Sequence, residues 1–214
     1  MTSTIDTAAL RDWISRFGAA MTDKREWLTE LDSAIGDADH GANMARGMAA
    51  VAEKLNAGAP ENIDDLLKSV GMTLVSSVGG ASGPLYGTFF LRMGMAAGAV
   101  KELDASALAG ALRAGLDGIV ARGKPESGDK TMFDAMAPAV DALDAALGDG
   151  TDIAAALSAA ADAAAAGRDA TLPLVARKGR ASYLGERSAG HLDPGAASTA
   201  ILFETLAAAV AGAA

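Results

Sequence analysis

Lys68-Ser-Val-Gly-Met-Thr-Leu-Val-Ser-Ser-Val-Gly-Gly-Ala-Ser-Gly-Pro-Leu-Tyr-Gly-Thr-Phe-Phe-Leu-Arg92 carries no charge between its two ends. A continuous apolar helix of that length would be long enough to cross a bilayer. The centre of the stretch argues against that reading. Ser76, Ser77, Gly79, Gly80, Ser82, Gly83 and Pro84 form a turn cluster whose backbone polar groups would be stranded in lipid. The stretch therefore predicts two buried helices joined by a tight glycine loop. Leu66, Leu67, Val70, Leu74 and Val75 give the first an apolar face at helical spacing, and Leu85, Phe89, Phe90 and Met93 do so for the second. Pro84 falls near the start of the second, where a missing N–H leaves no helical bond unmade.

The same period extends in both directions. Leu10, Trp13, Ile14, Phe17 and Met21 mark one helix over about Thr7–Leu31, and Met44, Met48, Val51 and Leu55 mark another that stops within residues 56–60. Downstream, Asp104 reads as the N-cap of a helix ending near Gly123. A further helix runs through Met132, Phe133, Met136 and Val140. Asp152 opens an Ala-dominated helix reaching at least Gly167, and the last covers Gly195–Ala213. No alternating β pattern persists, so the expectation is all-α: about eight helices, one domain over 1–214, arranged up and down with antiparallel neighbours. Composition agrees. The chain is 50% hydrophobic with 6 Pro and no Cys, which excludes a disordered chain and a disulfide scaffold. With 27 acidic against 18 basic residues the net charge is −9, the wrong sign for a general phosphate-backbone binder, so neither nucleic acid nor membrane is an expected partner. Met1–Leu10 shows no basic region followed by an apolar run, and a cytoplasmic protein is expected.

In an up-and-down array, the loops after alternate helices lie at one end. Those loops hold the unusual residues: 32–43 with Asp32, Asp37, Asp39 and His40; 79–84 with its glycines; 123–132; and 176–195, which contains Arg177, Lys178, Arg180 and Arg187. Three carboxylates within eight residues suit a hard cation such as Mg²⁺, and equally suit a solvated capping loop. An EF-hand fails because the twelfth position from Asp37 is Met48, and two histidines with no Cys make zinc a poor fit. Gly79–Pro84 leads into a helix N-terminus, where N–H groups can face an anion; a tight helix–helix turn has the same composition, and no Walker A sequence is present. The basic segment is by itself compatible with a solvated loop. Taken together at one rim, carboxylates, anion-type turn and arginines suggest a metal–nucleotide polyphosphate site, with Arg stabilising charge during transfer.

Four motifs carry a resemblance over essentially the whole chain: Asp32-Ser-Ala-Ile-Gly-Asp-Ala-Asp-His-Gly-Ala-Asn43, Gly79-Gly-Ala-Ser-Gly-Pro84, Gly128-Asp-Lys-Thr-Met132, and Gly179-Arg-Ala-Ser-Tyr-Leu-Gly-Glu-Arg-Ser188 with Asp193-Pro-Gly195. They resemble the nucleotide-binding L subunit of dihydroxyacetone kinase, a module that also forms the C-terminal domain of single-chain ATP-dependent kinases. The resemblance implies an eight-helix antiparallel barrel with ADP or ATP at one end. It implies Asp32, Asp37 and Asp39 as ligands of two Mg²⁺ ions, and His40, Gly41, Ala42 and Asn43 beside the phosphates. It also implies Ala81 and Ser82 at the nucleotide, Gly123 and Met132 near the nucleoside, Arg180 on the nucleotide, and Asp193, Pro194 and Gly195 closing the pocket. Arg180 and His40 are the candidate catalytic residues. The hydroxyketone would sit on a separate K subunit, and a phosphohistidine M subunit would rephosphorylate retained ADP. Exchange of ATP for another small ketose or polyol stays open, as do a nucleotide-dependent regulatory module and a homodimer. Fatty-acid kinase domains usually show Asp-Gly-Asp-Thr-Gly at the acidic loop; Gly36-Asp-Ala-Asp-His-Gly41 favours the ketose branch.

Overall fold

A computed structural model of the chain describes residues 4–58 and 60–213; Ala59, within the expected helix stop, and residues 1–3 of the N-terminal reading lie outside that range. The helices are α1 (Thr7–Asp23), α2 (Arg25–Ile35), α3 (His40–Ala57), α4 (Ile63–Ser77), α5 (Ser82–Ala97), α6 (Ala105–Gly123), α7 (Phe133–Gly148), α8 (Ile153–Ala170) and α9 (Pro194–Ala213). 3₁₀ turns broken by a kink at Gly185 cover Arg180–Ser188, and two short strands, β1 (Ile5–Asp6) and β2 (Glu102–Leu103), pair antiparallel.

The uncharged Lys68–Arg92 stretch is α4 and α5, broken over residues 78–81. The two pack unusually closely: a Cβ on Gly71 would meet the Gly87 carbonyl at 2.7 Å and the Leu91 amide nitrogen at 2.9 Å. Asp104 and Asp152 cap as expected, accepting from Ala107 N–H at 2.8 Å and from Ala154 and Ala155 N–H at 3.1 Å. The expected first helix differs from the observed one in two ways. It breaks at Lys24, where neither Gly nor Pro stands, and its second half runs on to Ile35, so Asp32 lies in the last helical turn rather than in a loop. The loop expected over 32–43 is thereby reduced to residues 36–39, because α3 already starts at His40.

Each helix packs on its successor from α3 onward, α3 also packs on α1, and α9 returns to α1, so the series of neighbours closes. Trp13 of α1, fully buried, donates Nε1–H to the Leu202 carbonyl of α9 at 2.9 Å and links the two ends of the sequence. Trp13, Phe17, Tyr86, Phe89, Phe90 and Phe203 fill the centre of one contiguous cluster; burying a large apolar side chain of this kind contributes about 1.5–3 kcal/mol. α9 is apolar and long enough to span a membrane, yet 67% of that window is buried within the protein, which identifies a core helix. β1 and β2 fasten one end of the array, where Thr7 N–H and Ile63 N–H donate to the Lys101 and Val100 carbonyls. The loops following α2, α4, α6 and α8 converge elsewhere, on one cleft.

Candidate functional site

The cleft measures about 330 Å³, within the size range of small-molecule sites. The last turn of α2 supplies Asp32, and the next four residues are shaped around its carboxylate. Asp39 N–H and His40 N–H donate to Asp32 Oδ2 at 2.8 and 3.1 Å. Ala38 takes a left-handed backbone with φ +61, and a Cβ on Gly36 would overlap the Asp32 carboxylate. One carboxylate oxygen each from Asp32, Asp37 and Asp39 lies within 4.8 Å of the others. Three such charges repel unless a cation or a proton relieves them. One cation is already at hand, because Arg180 Nη2 stands 3.0 Å from Asp37 Oδ2. The donor set is all oxygen and close enough to converge, which fits a hard divalent ion such as Mg²⁺.

His40 opens α3 and is buried between hydroxyls. Its Nδ1 lies 3.1 Å from Ser82 Oγ, and its Nε2 lies 2.9 Å from Ser198 Oγ. Ser198 Oγ is 2.7 Å from Tyr86 Oη, which is 3.0 Å from Thr199 Oγ1. Burial pushes the His40 pKa down, against the pull of Asp32 and Asp39, so the ring is held neutral with one N–H and one acceptor nitrogen. Burial likewise pushes the Tyr86 phenol up to about 12. A neutral hydroxyl–imidazole chain therefore runs from the cleft at Ser82 into the core.

Ser82 also begins α5. Gly79 and Gly80 precede it, Gly80 with φ +66, and a Cβ on Gly79 would press on the Asn43 side chain at 3.0 Å. In the first turn of α5, Pro84 has no N–H and Leu85 N–H donates to the Ala81 carbonyl at 3.2 Å, which leaves the N–H groups of Ser82 and Gly83 at the helix start as the seat for an anion. Ile35, Leu85, Ile119, Pro125, Met132 and Phe133 give the cleft its apolar lining.

Asp193 closes the floor. Its Oδ2 accepts from Ala196 N–H at 2.7 Å in the first turn of α9, and burial pushes its carboxyl up to about 7. Asp134 ties the 124–132 loop by accepting from Gly128 N–H and, at 2.8 Å, from Thr131 N–H.

Of the residues singled out in the sequence, Asp32, Asp37, Asp39, His40, Asn43, Ala81, Ser82, Gly123, Met132, Arg180, Asp193, Pro194 and Gly195 line this cleft. Gly41 and Ala42 are not among its lining residues. Gly41 is buried against the Arg25 carbonyl and Thr29 of α2, where a Cβ would collide, so its observed contacts are helix–helix packing. Sequence reasoning missed Lys130, the Tyr86–Ser198–Thr199 chain and most of the apolar lining. The Gly128–Met132 motif did signal the neighbourhood of Lys130; the hydroxyls, buried at separate points of two core helices, carried no signal.

The sequence matches the DAK2 domain family over residues 34–208. The ADP-binding subunit DhaL of the PEP-dependent dihydroxyacetone kinase of Escherichia coli is 49% identical over 196 residues, 92% of this chain and 93% of that one. The ADP-binding subunit DhaL of the PTS-dependent dihydroxyacetone kinase of Lactococcus lactis is 46% identical over 203 residues, 95% and 96% of the respective chains. Among solved structures, the dihydroxyacetone kinase of C. freundii in complex with AMP-PNP and Mg²⁺ superposes with a TM-score of 0.72 at 29% identity. That match covers 97% of this chain and only 35% of the larger kinase.

Proposed function

The chain belongs to the DAK2 domain family, and from that premise we propose that it is the ADP-binding subunit of a phosphotransferase-system-dependent dihydroxyacetone kinase. The observation that supports this most is the convergence of three carboxylates, a glycine-led helix N-terminus, an apolar lining and Arg180 on a single cleft. Adenine would lie against Met132 and its apolar neighbours, whose soft surface suits a purine. The phosphates would face the first turn of α5 and the Ser82 hydroxyl. Two Mg²⁺ ions, held by Asp32, Asp37 and Asp39, would neutralise phosphate oxygens and orient them for transfer.

The chain's own groups supply positioning and charge. Asp32 is fixed by two backbone N–H donors. Arg180, 67% exposed and paired with Asp37, would turn from that carboxylate toward a transferring phosphoryl group. His40 is neutral and enclosed by Ser82 and Ser198, so its part is to orient the Ser82 hydroxyl rather than to carry a substrate covalently. The hydroxyketone belongs in this reading to a separate K subunit, and an M subunit returns the phosphoryl group to ADP, all in the cytoplasm.

Native mass spectrometry of the purified chain tests the reading. Retained ADP with two Mg²⁺ ions supports the cofactor role. A nucleotide-free chain that turns over added ATP with a K subunit supports exchange, the mode suggested by AMP-PNP and Mg²⁺ in the longer C. freundii kinase. A chain that binds nucleotide and transfers nothing to any hydroxyketone–K subunit complex would instead be a regulatory module.

A further inference from the structure

Lys130 lines the cleft, yet its side chain is 1% exposed and its backbone holds φ +62, a left-handed conformation uncommon outside glycine. An ammonium has three N–H donors. Here all three meet backbone carbonyls: Thr171 at 2.9 Å, Leu174 at 3.0 Å and His191 at 2.5 Å. None remains for a phosphate. The three carbonyls belong to one segment, the connection from α8 to α9, two near its start and one near its end. The neighbouring Asp129, itself buried, grips the same segment. Its carbonyl accepts from Arg177 N–H at 3.0 Å, and its carboxylate lies 3.1 Å from Arg177 Nε and 3.9 Å from Lys178 Nζ. Arg180 lies between the two gripped ends.

We propose that Lys130 is a positioning residue, an internal cation that draws three carbonyls of the 171–191 segment together, as a structural metal ion would, and thereby sets Arg180 over the acidic cluster. The energetics are consistent. Burial pushes the Lys130 pKa down and the Asp193 charge counters it, while three carbonyl dipoles converge on the ammonium in place of water. A strained left-handed backbone persists where the surroundings over-determine it, and here loops from two parts of the chain do so. The proposal goes beyond the kinase reading but rests on it in one respect, the assignment of Arg180 to phosphoryl transfer.

The test uses the absence of cysteine from the chain. Lys130→Cys introduces a unique thiol, which 2-bromoethylamine converts in denaturant to an ammonium side chain of nearly lysine length; the parent is refolded in parallel. Amide hydrogen exchange is then read over 172–191 and over α4 and α5. Lys130→Cys is expected to speed exchange in 172–191 about tenfold or more while α4 and α5 keep parental rates. Aminoethylation is expected to restore protection. Parental exchange over 172–191 in the variant overturns the proposal. So does protection lost evenly through α4 and α5 in both Lys130→Cys and Lys130→Met, which would make Lys130 a general stability residue. A second arm compares transfer rates with a K subunit. In an Arg180→Ala background, Lys130→Met is expected to cost less than about twofold, because the two act on one geometry; multiplicative losses would overturn the coupling to Arg180. The exchange arm needs no phosphoryl transfer, so a parent that transfers nothing sinks the kinase reading and leaves the clamp to be judged on exchange alone.

Discussion

Asp193 turns its surroundings into a pH dependence that runs opposite to that of an ordinary carboxylate. Burial raises its folded-state pKa from 3.8 to about 7, against the opposing hydrogen bond from Ala196. The folded protein therefore keeps a proton that the unfolded chain releases near 3.8. The stability linked to that proton is fully present below 3.8 and is lost as pH rises through 7, a span worth roughly 4 kcal/mol at 1.4 kcal/mol per unit. His40 has the opposite sign, since its lowered pKa gives stability above 6.5 that is lost on acidification. Asp193→Asn keeps a capping acceptor without the charge, so the difference in melting temperature between variant and parent isolates Asp193. That difference is expected to favour the variant at pH 8 and to shrink toward pH 5; a constant difference would refute the assignment. A second change at this scale is Ser198→Ala, which removes the partner of His40 Nε2. In the proposed function His40 orients a nucleotide contact, so losing this neutral hydrogen bond is expected to weaken Mg–ADP binding roughly two- to tenfold by calorimetry, with helicity unchanged. The legibility of these residues divides by distance along the chain. Asp32, Asp37 and Asp39 stand out because they are close in sequence, whereas His40 and Ser198 are 158 residues apart and meet only through packing.

At the scale of the elements, the glycines of α4 and α5 separate packing from propensity. Gly71 faces the Gly87 carbonyl and the Leu91 backbone at distances that backbone cannot relax cheaply, so Gly71→Ala is expected to destabilise by about 1–3 kcal/mol despite its better helix propensity. Gly110, exposed on α6 with nothing beyond its chain neighbours and its own helix backbone within 4 Å of the point a Cβ would occupy, is the control: Gly110→Ala is expected to stabilise by about 0.5–1 kcal/mol. Urea melts of the two variants check both signs. The helices themselves were readable because apolar periodicity and Asp caps are local signals, which is why Asp104 and Asp152 stand where expected. The break at Lys24 was not, since it uses neither Gly nor Pro. Its angles, φ −92 and ψ 11, end α1 in an ordinary residue, with the two halves packing on α3 and α9. The two-residue strands were too short to show a period, and the 3₁₀ turns around Arg180 were masked by their charged, glycine-punctuated composition.

Across the whole molecule, alternate loops bring the acidic cluster and Arg180 to one rim, and this arrangement separates a binding loss from a folding loss. The Arg180–Asp37 pair is short but open to solvent, with side-chain exposures of 67% and 35%, so it contributes at most about 1 kcal/mol to stability. Removing either partner should therefore leave the array of helices intact. Asp37→Ala takes one of three converging carboxylates from the proposed cation site, and in that reading the chain is expected to lose bound nucleotide while its far-UV circular dichroism stays at the parental level. Equal Mg–ADP affinity for variant and parent would remove Asp37 from the metal site. Arg180→Ala leaves the carboxylates in place, so in the proposed kinase reading nucleotide is expected to stay bound while transfer to a hydroxyketone on the proposed K subunit falls roughly a hundredfold, the scale of losing one preorganised charge at a reacting centre. Unchanged turnover would show instead that Arg180 serves only as the counter-ion of Asp37. In the proposed function, the two variants would divide the rim into a part that holds the nucleotide and a part that acts on it.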